Sequence, residues 1–121
     1  MSSLKANASV TVESHFHGRD SVVYRIYVRL IKALERLGEV SQEPKKTSIH
    51  LVKKTAFAGV ATRKGYLILT VKSDQPLKSA RIHKTQQTSA NRFHHELKIN
   101  SPAQIDAQLV SWLENAYRLS C

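Results

Sequence analysis

The sequence predicts an α+β domain: an antiparallel sheet of four to five strands with an N-terminal and a C-terminal helix packed on one face, in the order α-β-β-β-β-α. Two observations carry this. Segments near the two ends repeat apolar residues at three- and four-residue steps, and the stretch between them alternates with a period of two. Each helix then has one apolar face that needs a flat surface to cover, and the strands supply it. At 121 residues, 41% hydrophobic and 23% charged, the chain has ordinary globular composition and can bury roughly two-thirds of its unfolded surface in one core. Residues 1–14 read as a flexible N-terminal segment and residues 15–121 as the single α+β domain.

The first helix is expected from about Asp20, its cap, to Leu37, with Gly38 ending it. Val23, Ile26, Tyr27, Leu30, Leu34 and Leu37 make its apolar face, and Arg25, Arg29, Lys32 and Arg36 fall opposite. That basic row is either a solvated outer face or a ridge that tracks phosphates. Strands are expected at Thr47–Lys53, Ala56–Thr62, Tyr66–Lys72 and Arg92–Ile99. Arg63-Lys64-Gly65 fits a tight turn in which glycine takes a positive φ. In the last strand Phe93, His95, Leu97 and Ile99 share one side, and Arg92, His94, Glu96 and Lys98 the other. Between Asp74 and Asn91 the chain reads as a long irregular stretch with room for a short strand near Arg81–Thr85. The second helix is expected from about Pro102 to Leu119, opened by the capping box Ser101-Pro102-Ala103-Gln104 and buried through Ile105, Leu109, Trp112, Leu113 and Ala116.

The net charge is +10, from 19 Lys plus Arg against 9 Asp plus Glu. Between Pro44 and Lys98, twelve basic residues face only Asp74 and Glu96, so this one segment accounts for the whole excess. Such a surface attracts polyanions and repels copies of itself. The longest apolar run, Tyr66–Val71, is strand-sized and far below the ~20 residues of a membrane helix. Met1–Ser14 has no secretory apolar region, so a cytoplasmic protein without a membrane partner is expected. The single cysteine, Cys121, excludes an internal disulfide and a multi-thiolate metal site, and is expected to be exposed.

Among the six histidines, His15 and His17 would share one face of an extended segment, as two metal ligands do. No cysteine and no helical His-Glu-x-x-His motif supports them, and no metal site is assigned. His95 aligns with the apolar positions and reads as a packed, hydrogen-bonded side chain. His94 falls on the polar face, where it could join His15 and Arg92 in a phosphate or carboxylate pocket. The four glycines are scattered, so no nucleotide-binding loop can be assembled and no cofactor is expected. The acids offer no close pair for two-metal hydrolysis, and a Ser or Cys nucleophile with its base cannot be picked out. Catalytic residues are therefore not assigned.

His15-Phe16-x-Gly18-Arg19-Asp20, Glu43-Pro44-x-Lys46-Thr47-x-Ile49, Phe57-Ala58, Asn91-x-x-His94-His95, Ser101-Pro102 and Trp112-Leu113-x-x-Ala116-Tyr117 run in that order. This pattern resembles a bacterial family known as domain of unknown function 5655, over nearly the whole chain from about His15 to Tyr117. The resemblance implies the same small α+β fold. It also implies a nucleic-acid context, because relatives are sometimes joined to nuclease-type or restriction-associated modules. The zinc-ribbon-like segment that some relatives carry ahead of the His-Phe motif has no counterpart here.

The expected activity is that of a non-enzymatic accessory module whose basic sheet-and-loop surface takes an anionic polymer, DNA or RNA. Lys45, Lys46, Lys53, Arg63, Lys64, Lys78, Arg81, Lys84 and Lys98 are the expected contacts, with Tyr66 and Phe93 weighed as stacking surfaces. The alternative is an interaction domain that forms a homodimer through its uncovered sheet, and the third reading is a His-dependent enzyme or ligand pocket. Patch geometry separates the first two: one contiguous basic face favours nucleic acid, and scattered charge around an apolar sheet favours self-association.

Overall fold

The computed structural model of the protein describes residues 10–120. The first nine residues of the segment 1–14 and Cys121 lie outside them. Thr11 and Ser14 exchange side-chain to backbone hydrogen bonds of 3.1 and 3.0 Å and lead into a 3-10 turn, Glu13–Phe16. Helix α1, Ser21–Glu35, buries Val23, Ile26, Tyr27, Leu30 and Leu34, as its periodicity predicts, and exposes Arg25, Arg29, Lys32 and Arg36. Asp20 stands at the N-cap, but its side chain does not cap. Its carboxylate pairs with Lys64 Nζ at 3.4 Å, and its backbone N–H donates to the Lys64 carbonyl at 2.7 Å.

The sheet has six strands rather than the four to five expected, and every neighbouring pair is antiparallel. They are β1 Ser41–Pro44, β2 Ile49–Val52, β3 Ala56–Thr62, β4 Leu67–Ser73, β5 Ile82–Ser89 and β6 Arg92–Ile99, ordered β1-β2-β3-β4-β6-β5. The strand not expected is β1, and β5 extends the short strand weighed near Arg81–Thr85 as far as Ser89; both are edges. β1 carries no buried residue, and β5 is exposed at all but its first position. Neither has the apolar alternation by which a half-buried strand announces itself. In the irregular stretch between Asp74 and Asn91, residues 82–89 are therefore β5 and residues 74–81 connect. Since β4 and β5 both pair with β6, they are parallel, and this connector passes from one end of the sheet to the other.

The turn after β3 also departs from expectation. It closes through Arg63 N–H to the Tyr66 carbonyl (2.8 Å), yet positive φ occurs only at Gly18 and Gly38 among the described residues. Gly65 serves instead to admit Asp20, whose carboxylate would lie 3.3 Å from any Cβ there. The capping box at Ser101 is present but caps a three-residue 3-10 turn, Pro102–Gln104. Ile105 leaves helical geometry to bury its side chain, and Asp106 recaps, so helix α2 runs Ala107–Leu119 rather than from Pro102.

Both helices cover one face of the sheet. Val60, Leu69 and Leu97 lie in register across β3, β4 and β6, all at most 1% exposed, and they pack with Ile26, Leu30, Leu109 and Leu113 of the helices. A register shift between Leu51 and Val52 inserts an extra residue into β3. Phe57 and Ala58 are consequently both buried, and the Phe57 ring meets Tyr117 of α2 edge-on at 5.3 Å.

Two contacts fasten the end of α2. The Tyr117 hydroxyl donates to the Glu39 carbonyl (3.0 Å) and lies against Gly38, whose φ is 144°. Buried Ser120 accepts at Oγ from the N–H groups of Lys54 (3.2 Å) and Thr55 (2.9 Å) and donates to the Thr55 carbonyl (2.7 Å).

Gly38→Ala combines a strained φ with a Cβ that collides with the Tyr117 hydroxyl. A stability loss of about 1–3 kcal/mol is expected in urea denaturation. Ser120→Ala leaves two N–H groups of the β2–β3 turn without their partner, and a loss of about 1–3 kcal/mol is expected by the same measurement.

Candidate functional site

The face opposite the helices is uncovered, and the register decides what it presents. One cross-strand row runs Glu43, His50, Gly59, Thr70, Glu96, Lys84 from β1 to β5. Ala61, Ile68 and Lys98 form the row on one side of it, and Lys72, His94 and Gln86 the row on the other. Arg92 follows on the His94 side. Gly59 and Ala61 have almost no side chain, so β3 forms the floor of a shallow trough rather than a ridge. A cavity of about 240 Å³ occupies it, lined by His50, Gly59, Ala61, Thr70, Lys72 and His94 among others.

The trough continues into a notch. Pairing between β3 and β4 ends at Ala58 and Val71, because the extra residue at Phe57 turns β3 towards α2. The two strands part, leaving a cavity of about 250 Å³ lined by Thr55, Ala56, Lys72, Thr88, Arg92 and His94, with Ser120 behind. Lys72 and His94 are cross-strand partners, and Arg92 stands two residues from His94 on the same side. Among the described residues no carboxylate pairs with Lys72, Lys84, Arg92 or Lys98. Glu96, the acid in the middle of the face, approaches His83 at 3.8 Å. Burial holds the His94 imidazole below the usual histidine range, and the Lys72 ammonium and His95 push the same way. At neutral pH His94 is therefore an uncharged hydrogen-bonding group, and Lys72 and Arg92 supply the charge.

The sequence-predicted contacts separate into three groups. Lys84 and Lys98 lie on the open face, with the Lys98 ammonium 4.3 Å from the centre of the Tyr66 ring. Lys45, Lys46, Arg63 and Lys64 gather in the turns at one end of the strands, next to Tyr66. Lys53, Lys78 and Arg81 do not join the face. Lys53 covers Tyr117 at 4.5 Å, Lys78 is in the connector, and Arg81 is spent on Asp106 (2.9 Å), Gln108 and the Gln104 carbonyl. The Leu109 N–H and then Arg81 hold the Asp106 carboxyl below its ordinary value. His94 and Arg92 share the notch, but His15 is in a different cavity, at the end of β3 marked by Thr62. Phe93 stands on the helix side, stacked on His95 with ring centres 6.3 Å apart, and Tyr66 is the one aromatic of the pair that adjoins the basic face. Lys72 was missed as a contact, although the period of β4 already sets it with Ile68 and Thr70, away from Leu67, Leu69 and Val71.

One contact has the geometry of catalysis. Ser73 Oγ lies 2.8 Å from His95 Nε2, and Thr85 Oγ1 lies 3.0 Å from His95 Nδ1. Ser73 is 1% exposed and His95 0%, and the serine hydroxyl is donated to the Gln75 carbonyl. Ser73 Oγ must then accept from Nε2–H, which leaves Nδ1 to accept from Thr85. The serine proton is engaged by a carbonyl and no substrate reaches the oxygen, so this pair works as a structural clasp between β4, β5 and β6. Among the described residues no three His, Cys, Asp or Glu side chains cluster as metal ligands, and no helix is long and apolar enough to cross a membrane.

A family model described as Domain of unknown function (DUF5655) matches residues 12–120. Neither a curated protein nor a solved structure matches the chain.

Burial lowers the His95 pKa, with a hydrogen bond to the Gln75 backbone opposing it. The unfolded chain binds a proton near the ordinary value of about 6.5 that the folded chain refuses. The stability is thus fully present above about pH 6.5 and is lost as the pH falls towards the lowered folded value. Melting temperatures between pH 8 and 5 are expected to drop on the acid side. His95→Gln is expected to reduce that drop, with the likewise lowered His94 keeping part of it, while costing about 1–3 kcal/mol at pH 8.

Proposed function

The chain belongs to the DUF5655 family, and from that premise we propose that it is a non-enzymatic accessory module which binds nucleic acid across its open sheet face. The observation that carries this reading is the notch where Lys72, Arg92 and neutral His94 meet without a carboxylate partner. From it, a shallow trough leads over Gly59 and Ala61 towards Lys98 and Tyr66, with Lys84 to one side. A polynucleotide backbone suits this arrangement: phosphates pair with the four unneutralised cations, and Thr70 and His94 offer hydrogen bonds. Tyr66 gives a base one ring to stack on, which favours single strands over duplex.

Several cations that the sequence offered are not needed. Arg81 is neutralised by Asp106, and Lys53 and Lys78 are away from the face. The same face opposes a homodimer built by stacking sheet on sheet, since two copies would bring Lys72, Lys84, Arg92 and Lys98 against one another. The compartment we read is the cytoplasm.

Fluorescence anisotropy of labelled single-stranded and duplex DNA and RNA across a salt series tests the reading. Four phosphate contacts imply a loss of roughly 150-fold in affinity between 50 and 200 mM salt on duplex DNA, from a slope of about 0.9 per phosphate. The double variant Lys72→Gln, Arg92→Gln is expected to lower that slope by about 2. Lys53→Gln with Lys78→Gln is expected to leave it unchanged. Equal losses from the two variants, or equal binding of nucleic acid and heparin, would sink the proposal.

A further inference from the structure

At the opposite end of the strands from the notch, a third cavity of about 380 Å³ is lined by Ser14, His15, Arg19, Lys46, Thr47 and Arg63 among others. One backbone group gathers its cations. Arg19 donates through Nη2 to the Thr62 carbonyl (3.4 Å) and through Nε to the Thr62 hydroxyl (3.1 Å), while Arg63 Nη1 donates to the same carbonyl (3.0 Å). The hydroxyl in turn donates to the His15 carbonyl, fixing the Glu13–Phe16 turn beside the end of β3. Two like-charged forks are thus held together, and each keeps most of its five N–H donors unspent.

The neighbouring acids do not neutralise them. Asp20 is paired with Lys64 at 3.4 Å and Glu43 with Lys45 at 3.6 Å. Among the described residues no carboxylate pairs with Arg19, Lys46 or Arg63. His15 lines this cavity, and its Nε2 is the one buried side-chain nitrogen or oxygen among the described residues without a hydrogen-bond partner. Buried polar atoms in folded chains are nearly always satisfied, so His15 keeps an unspent hydrogen-bonding group among the residues that line the cavity, closed off from solvent in the free chain.

We infer that this cavity binds a phosphate monoester, with Arg19 and Arg63 each donating to its terminal oxygens and Lys46 and the Thr47 hydroxyl at the rim. A monoester suits it better than a diester. It carries about two charges and three strong acceptor oxygens at neutral pH, against the single charge and two free oxygens of a phosphate inside a chain. Guanidiniums already anchored on Thr62 lose little freedom on binding, and their forks match phosphate geometry. The monoester group has two sources, a small phosphorylated metabolite or the 5′-phosphate of a polynucleotide. The site is distinct from the open-face notch and stands on its own residues.

The test is calorimetric titration of the full chain with phenyl phosphate and phenyl sulfate, and with a short oligothymidylate bearing either a 5′-phosphate or a 5′-hydroxyl. Phenyl phosphate is expected to bind one to one and more tightly than the singly charged sulfate. Its affinity is expected to fall as the pH drops through about 6, where the ester takes up a proton. Arg19→Gln with Arg63→Gln is expected to weaken it by about tenfold or more. Lys46→Gln, at an exposed position with no bond to break, is expected to weaken it less and serves if the arginine variant does not fold. Lys72→Gln with Arg92→Gln is expected to leave it unchanged. A clear preference for the 5′-phosphate oligonucleotide assigns the polynucleotide end as the source, and equal oligonucleotide affinities assign the small ester. Absence of phenyl phosphate binding at millimolar concentration overturns the inference. So does a loss confined to the Lys72 and Arg92 variant, or no loss in Lys46→Gln and the arginine variant alike.

Discussion

One-sided burial of the sheet is the constraint on which everything else depends. Leu109, Leu113 and Ala116 of α2 and Ile26, Leu30 and Leu34 of α1 demand an apolar surface, and β2, β3, β4 and β6 can satisfy both helices only from the same side. Because side chains alternate along a strand, that choice also dictates the other face. Along β4 and β6 each residue beside a core position is sent outward: Thr70 and Lys72 beside Leu69 and Val71, His94, Glu96 and Lys98 beside His95, Leu97 and Ile99. The basic surface is thus the complement of the hydrophobic core, and a one-residue slip of register would exchange the two.

The polar atoms inside the core follow a related logic. His95 takes a position that the pattern of β6 reserves for an apolar side chain, and it is tolerated because both ring nitrogens are occupied, by Ser73 and Thr85. This clasp joins three strands where β5 has little apolar surface of its own to hold it. Ser120 acts similarly at the other extreme of the chain, fastening the end of α2 to the β2–β3 turn. In both places hydrogen bonding performs an attachment that hydrophobic area is too small to provide.

Much of this was legible from residues alone. The two apolar helix faces, the central strands, the sidedness of β6 and the packed state of His95 all follow from periodicity. The family was legible in a different way, through the resemblance of motifs spread over almost the full chain. What escaped were features without a periodic signature. β1 and the second half of β5 are edge segments with polar side chains on both faces, so nothing in their sequences separates them from loops, and only a short strand near Arg81–Thr85 was offered. The start of α2 was misplaced because Ser101 and Asp106 are both good caps, and only the burial of Ile105 decides between them. Site residues were harder still. Arg81 looked like a free cation until Asp106, 25 positions along the chain, was seen to hold it. His15 looked like a partner for His94, yet the length of β3 separates them. Long-range pairing of this kind leaves no local trace.

The strand order has a consequence in time. β6 sits between β4 and β5 although it is made after both. When a ribosome has released the chain only as far as Asn91, β5 has no neighbour to pair with and Val71 has an open flank. The connector at residues 74–81 must already hold the two parallel strands one strand's width apart, or leave room for β6 to enter. Closure of the sheet is then a late, non-local event, with a large loop-closure cost to overcome before any reward. A nascent or truncated chain that stops short of β6 would display two bare strand edges, the situation in which chains pair with one another instead.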